Sequence, residues 1–196
     1  QEGLKVVLGL GNDGPEYRFT RHNVGFMVAD AIALRCGEAF SARGDLGSLT
    51  WIAETEFGGQ RVVLAKPRTL MNRSGQSAAA LRRKYDAEPG DFIVVFDDAD
   101  LAFGRVRVRP EGGAGGHNGV RSLIESLTVG EFARVKLGVL GEGRHSRDLA
   151  DYVLDPFHPD ERPVVPTMVD RAADAVEAVL RDGVDVAQRA YNGVSA

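Results

Sequence analysis

The run from Leu4 to Asn23 constrains the fold of this chain more than any other stretch. Leu4 to Leu10 is short, apolar and valine-rich, the pattern of a strand buried on both faces and hence of a first, central strand in an α/β sheet. Gly9, Gly11 and Gly14 release the chain at the carboxyl end of that strand, where sheets of this type place their ligands. Beyond the loop, Val24, Met27, Val28, Ala31 and Ile32 recur at helical spacing, so a helix begins near Asn23 and lays one face on the sheet. His22 is thereby placed beside a helix N-terminus and next to the loop that carries Asn12.

Gly9 to Gly14 also spells G-x-G-x-x-G, the dinucleotide-binding fingerprint. The surroundings do not fit it. A dinucleotide turn opens straight into a helix and is followed about 20 residues later by an acid closing a second strand. Here Pro15 and a polar loop intervene, and Asp30 falls inside the helix.

At 196 residues the chain suits one domain, 1–196, large enough to bury about 70% of its unfolded surface. No apolar run approaches the roughly 18 residues of a membrane span, and no charged-then-apolar signal segment opens the chain, so a soluble, cytoplasmic protein is expected. Gln1 in place of methionine reads as a trimmed start. Cys36 is alone, which excludes an intramolecular disulfide and leaves a structural zinc site without its usual ligands. The net charge of −4 argues against a generally basic coat, but the charge is uneven. Residues 100–147 carry 8 basic and 5 acidic side chains, a local +3, whereas residues 148–196 carry 4 and 10, a local −6. One patch can bind phosphate while the rest stays acidic, because exposed charges more than about 10 Å apart are screened.

Along the chain, Ser48 to Phe57 and Gln60 to Ala65 read as a hairpin turning at Gly58-Gly59, ended by Lys66-Pro67. Arg68 to Gly75 leads into a helix ending near Tyr85, with Ser74 or Asn72 as its cap, and Asn72 stands equally well as a cap or as a site residue. Phe92 to Phe96 is a buried strand finishing in Asp97, Asp98 and Asp100. Those acids fit solvated loop charge, a divalent-cation site, or a carboxylate that orients a histidine. Arg105, Arg107 and Arg109 alternate with Val106 and Val108, a basic stripe on one strand face that Arg134 and Lys136 of a later strand, Phe132 to Leu140, extend. Spacing alone leaves that stripe as a phosphate site or a solvated face. Gly112 to Gly119 is a glycine-rich loop opening, with Asn118 as N-cap, into a helix buried through Val120, Leu123, Ile124 and Leu127. It lacks the Gly-Lys-Ser/Thr of a nucleoside triphosphatase loop. Residues 141–158 form a polar, mobile connection with a lid-like piece at Ala150 to Leu154, and Pro159 to Asp182 is a helix buried through Val169, Ala172, Ala173, Val176 and Leu180. The whole reads as a single-domain α/β protein with a mixed, mostly parallel twisted sheet and helices on both faces.

Taken together, Gly9-Leu10-Gly11-Asn12, Thr20-Arg21-His22-Asn23, Lys66-Pro67 with Met71-Asn72 and Ser74-Gly75, the acid-rich strand end at Asp97, and Gly115-Gly116-His117-Asn118-Gly119 resemble bacterial peptidyl-tRNA hydrolase from about residue 4 to 190. Several motifs in the right order are far more specific than any one of them. The resemblance implies a monomeric, metal-independent enzyme without cofactor or obligate protein partner, which cleaves the ester joining a peptide to tRNA. It implies His22 as catalytic base and Asp97 as its partner, with Asn12, Asn72 and Asn118 as substrate-positioning amides and Tyr17 and Met71 lining the cleft. Arg107, Arg109 and Lys136 take the places of the family's phosphate-binding residues. The sequence departs from the family pattern at Asp13, Leu70, Ala99 and Ala114, and the carboxylate of Asp13 beside Asn12 is expected to raise the pKa of His22.

The residue types suit that chemistry. Histidine supplies a base near neutrality, a buried acid fixes its tautomer, and asparagine amides polarise a carbonyl without adding charge. No Gly-x-Ser-x-Gly elbow is present, which favours direct attack by water over an acyl-enzyme. Of the other histidines, His117 is expected in the loop or one layer behind the reacting groups, His145 in the mobile connection and His158 on the surface. An RNA-binding protein without catalysis would keep the basic stripe but not need His22 and Asp97. An esterase for small acyl groups would not need Arg107, Arg109 and Lys136.

Overall fold

A computed structural model describes residues 3–42, 44–144 and 147–193. Its strands are β1 (Lys5–Gly9), β2 (Thr50–Phe57), β3 (Gln60–Pro67), β4 (Phe92–Ala102), β5 (Val106–Arg109) and β6 (Ala133–Leu140). Its helices are α1 (Val24–Cys36), α2 (Ser74–Tyr85), α3 (Asn118–Leu127), α4 (Leu149–Val153), α5 (Val165–Asp182) and α6 (Val184–Tyr191). The strands form one sheet in the order β2-β3-β1-β4-β6-β5. The four inner strands run parallel and the two edge strands antiparallel, so the mostly parallel α/β sheet expected from the sequence is the one observed.

Burial follows from that topology. Val7 of β1 sits opposite Leu64 of β3 and Ile93 of β4, and β1 reads apolar on both faces because helices cover both. One face packs on α1 and α5 through Val28, Ile32, Val176 and Ala172, with α6 behind through Ala187. The other packs on α2 and α3 through Leu81, Ala78, Leu123 and Leu127. None of the described helices is long and apolar enough to cross a membrane.

Several expectations are corrected. β4 runs on to Ala102 rather than stopping at Phe96, because Asp97 and Asp98 still pair with Leu137 and Gly138 of β6 before the register shifts. Helix α2 is entered through a tight turn at Met71–Arg73, so its cap position is Arg73 with no side-chain bond, and Ser74 Oγ donates to the Met71 carbonyl instead. Asn118 is the first residue of α3 and not its cap, which is His117. The long C-terminal helix begins at Val165, six residues later than the pattern suggests, and α6 follows it unforeseen. His145 lies outside the described residues.

Two glycines set how closely α1 approaches the sheet. A Cβ on Gly25 would overlap the carbonyl oxygens of Val95 and Leu10, and one on Gly9 would overlap the Gly25 carbonyl. Backbone therefore touches backbone where the chain turns from β1 toward His22. Gly25→Ala should cost about 1–3 kcal/mol by forcing the helix away from the strand. Urea unfolding of the two proteins checks this, and equal stability would mean that the contact is slack.

Candidate active site

Three loops converge at the carboxyl ends of the parallel strands. After β1 comes the loop with Asn12, which runs through a short turn, Arg21–Asn23, into α1. After β3 comes the Met71–Arg73 turn, and the glycine loop delivers His117 to the start of α3. Between them β4 presents Asp97, whose carboxylate is only 2% exposed. His22 Nδ1 lies 2.7 Å from one Asp97 oxygen, and His117 Nε2 lies 3.0 Å from the other. The two imidazoles tilt against each other with ring centres 4.9 Å apart. His117, expected in the loop or one layer behind the reacting groups, thus shares the carboxylate of His22, a partner that no sequence pattern named. The signal that could have found it is a second histidine at a helix start, where the ring can cap.

The hydrogen bonds decide the tautomers. His117 Nδ1 accepts from the backbone N–H groups of Gly119 and Val120, so its proton is on Nε2 and is donated to Asp97. Asp97 also accepts from Nδ1 of His22, which leaves the lone pair of His22 on Nε2. Burial alone would raise the Asp97 carboxyl, but the two histidines hold it well below the usual carboxylate range. Burial likewise pulls His22 down, and the Asp97 charge and hydrogen bond outweigh it, so His22 is raised above its ordinary value. Asp13 plays a different part from the one expected. Trp51 Nε1 donates to it at 3.0 Å and Arg68 Nε stands 3.5 Å from its other oxygen, while the charge acting on His22 is that of Asp97.

The amides are positioned unequally. Asn23 and Asn12 bond reciprocally, the Asn12 N–H donating to Asn23 Oδ1 at 2.8 Å and Asn23 Nδ2 to the Asn12 carbonyl at 2.9 Å. Asn12 Oδ1 in turn accepts the Met71 backbone N–H at 2.7 Å, so the free end of Asn12 is its NH2 donor. His22, Asp97, His117 and Asn118 line one cavity of about 260 Å³ with Leu149, Ala150 and Val153 of α4. Asn12 lines a separate hollow with Asn23, Phe26, Trp51 and Lys66. Met71 is buried, Asn72 is exposed on the turn after it, and Tyr17 is half-buried, and none of these three lines the His22 cavity.

On the sheet face covered elsewhere by α2 and α3, the β6–β5 edge is open. Arg107 sits opposite Lys136 and Arg109 opposite Arg134, while Val106 and Val108 point into the core. Arg134 does not extend the surface stripe as expected: it is 1% exposed and donates to the carbonyls of Gly112, Gly113 and Gly130, which fixes the base of the glycine loop. Lys136 is lowered by burial and by the neighbouring arginines, and Asp98, 3.8 Å away, only partly offsets them. His158 is exposed, as expected.

A mostly parallel sheet carrying an imidazole–carboxylate–imidazole group at the ends of its inner strands defines an α/β enzyme. A family model described as Peptidyl-tRNA hydrolase matches residues 6–196. The peptidyl-tRNA hydrolase of Nocardia farcinica is 46% identical over 95% of both chains, and that of Symbiobacterium thermophilum is 45% identical over 96% of this chain and 98% of its own. A crystal structure of peptidyl-tRNA hydrolase from Acinetobacter baumannii matches with a TM-score of 0.88 at 29% identity, covering 98% of this chain and 96% of that one. The chain belongs to the peptidyl-tRNA hydrolase family, a family of hydrolases.

His22, Asp97 and His117 converge closely enough to suggest a cation site. The donor set opposes it, because His117 would have to surrender either its Nε2 proton or the two N–H groups bound at Nδ1 before it could ligate. The acid run does not converge either: Asp98 engages Lys136 and the Asp100 N–H, and Asp100 is exposed. Dialysis against EDTA should therefore leave peptidyl-tRNA hydrolysis unchanged. Loss of activity that one divalent ion restores would reinstate the metal.

Proposed function

We propose that this protein cleaves the ester joining a peptide, or an N-blocked aminoacyl group, to the 3′ end of tRNA, and so returns tRNA to translation in the cytoplasm. It acts as a monomer, without metal, by direct attack of water with His22 as general base. The observation that carries this reading is the 2.7 Å bond between His22 Nδ1 and the buried Asp97 carboxylate, which directs the Nε2 lone pair away from Asp97. A water held at Nε2 gives up its proton as it attacks the ester carbonyl, and Asp97 stabilises the imidazolium that forms. The His22 imidazolium then gives that proton to the leaving 3′ oxygen of the tRNA, which restores the neutral base. Asn12, with its oxygen committed to Met71, offers N–H donors to the substrate carbonyl, and Asn118 and Asn72 hold the chain on either side. One such donor contributes about 3 kcal/mol in the transition state. Tyr17, half-buried on the loop after Asn12, lies toward the path of the peptide, and Met71 supports the cleft from beneath through its N–H bond to Asn12. Helix α4, within the 141–158 stretch expected to act as a lid, forms a wall of the cavity and is the element that adjusts to substrate.

Arg107, Arg109 and Lys136 bind tRNA phosphate on the open β6–β5 edge. Burial lowers Lys136 most and the neighbouring arginines add to it, and a bound anion offsets the repulsion among the three cations.

His22→Ala should stay folded and lose about 10²–10⁴-fold in kcat. Neutral His22 is the active form, so activity falls as pH drops through its raised pKa. In Asp97→Asn the raising charge is gone and burial acts alone, so the acidic limb should move to lower pH. A pH–rate profile of each variant decides: near-parental turnover in the first, or an unmoved limb in the second, refutes the assignment.

Replacing Arg107, Arg109 or Lys136 with Ala should raise KM for peptidyl-tRNA with kcat nearly unchanged, since uniform binding is what is lost. Each change should also flatten the slope of log K against log salt by roughly 0.7 to 0.9. A peptide ester of a short nucleotide should be indifferent to all three. Equal losses on both substrates would make the edge a solvated sheet face.

A further inference from the structure

We propose that His117 is a positioning residue for the reaction, which divides the charge of Asp97 between two imidazoles and sets Asn118 against the cavity; this rests on His22 being the base. Each hydrogen bond in the group points the same way. The N–H groups of Gly119 and Val120, at 3.1 and 3.2 Å, donate to His117 Nδ1, and His117 Nε2–H donates to Asp97 at 3.0 Å. Aligned bonds polarise one another, so the positive end of α3 reaches the carboxylate through the ring. The ring itself cannot turn. Its edge packs on Phe96 with centres 5.0 Å apart, and its side chain is 8% exposed.

Two consequences follow for the chemistry. Asp97 receives a second donor on the oxygen that His22 does not use, so less of its charge is available to hold a proton on His22. The cap also fixes the next residue, Asn118, which begins α3 at the mouth of the cavity. The other charged groups facing the dyad are Asp98 and Asp100 from β4 and Asp148 at the start of α4. Arg21, next to His22 in the chain, is turned away to the Tyr152 carbonyl and Glu161.

The two ends of the ring can be tested separately. In His117→Asn the side-chain oxygen stands where Nδ1 does and caps α3, but nothing reaches Asp97. In His117→Gln the amide reaches Asp97, and the cap is weakened. Thermal melts and kcat–pH profiles on peptidyl-tRNA should then diverge. The Asn variant should melt near the parent yet lose about tenfold in kcat, with its acidic limb raised by about half a pH unit, opposite in sign to Asp97→Asn. The Gln variant should melt lower, with its limb restored. A limb unmoved in the Asn variant, or losses that follow melting temperature in both, overturns the role of His117 while His22→Ala stays inactive. An active His22→Ala overturns both assignments together.

Discussion

The site depends on one buried charge. A carboxylate taken out of water costs several kcal/mol unless it is paired and hydrogen-bonded, and Asp97 is almost wholly enclosed. It is compensated by two imidazole N–H groups rather than by a lysine or arginine, and that choice has chemical consequences. A guanidinium would neutralise the charge permanently. An imidazole can donate to the carboxylate while keeping a lone pair elsewhere, and His22 does so. His117 has no such lone pair free, because the end of α3 occupies it. One histidine of the pair is thus left able to act as a base and the other is fixed as a donor.

Such a group works only if the segments that carry it hold still, and none of them is held by a strand ladder alone. Buried polar side chains take that role. Asn23 satisfies both backbone groups of Asn12, and Asn12 fixes the Met71 turn. Arg21 ties the His22 turn to the Tyr152 carbonyl and to Glu161, stacking 4.0 Å from the Tyr152 ring centre. Arg134 gathers three carbonyls of the glycine loop and its neighbour. Each satisfies backbone groups that a loop would otherwise bury unpaired, and the catalytic geometry is preorganised as a result.

The sheet was legible because burial on both faces writes itself as continuous apolar runs at Leu4 to Leu10 and Phe92 to Phe96. Asn12 and Asp97 could be placed because they follow such runs, and His22 because it precedes the helical pattern of α1. What escaped the sequence was contingent on partners far along the chain. Arg134 alternates with Lys136 as a surface stripe should, and only the carbonyls of residues 112–130 reveal that it is structural. Asp13 looks like a neighbour of His22 until Trp51 and Arg68 claim it from another strand. Asn118 has the residue type of a cap, yet His117 takes the position because its ring spans both α3 and Asp97. Local propensity cannot see a side chain with two distant obligations.

The uneven charge of the chain acquires a direction from the fold. The basic residues of 100–147 include Arg107, Arg109 and Lys136, which share the sheet face that α2 and α3 leave open at the β6–β5 edge. Half of the acids of the segment 148–196 lie on α5 and α6, which pack on the opposite face, and the rest lie on and around α4, where Asp148 lines the His22 cavity. The edge proposed to bind phosphate thus lies across the sheet from α5 and α6, an arrangement that suits a polyanion approaching the edge. The edge lies next to β4, and β4 carries Asp97. Asp98, 3.8 Å from Lys136, also lines the His22 cavity, so the edge and the cavity are neighbours. A net charge of −4 is compatible with a local basic edge because the charge is unevenly placed along the chain.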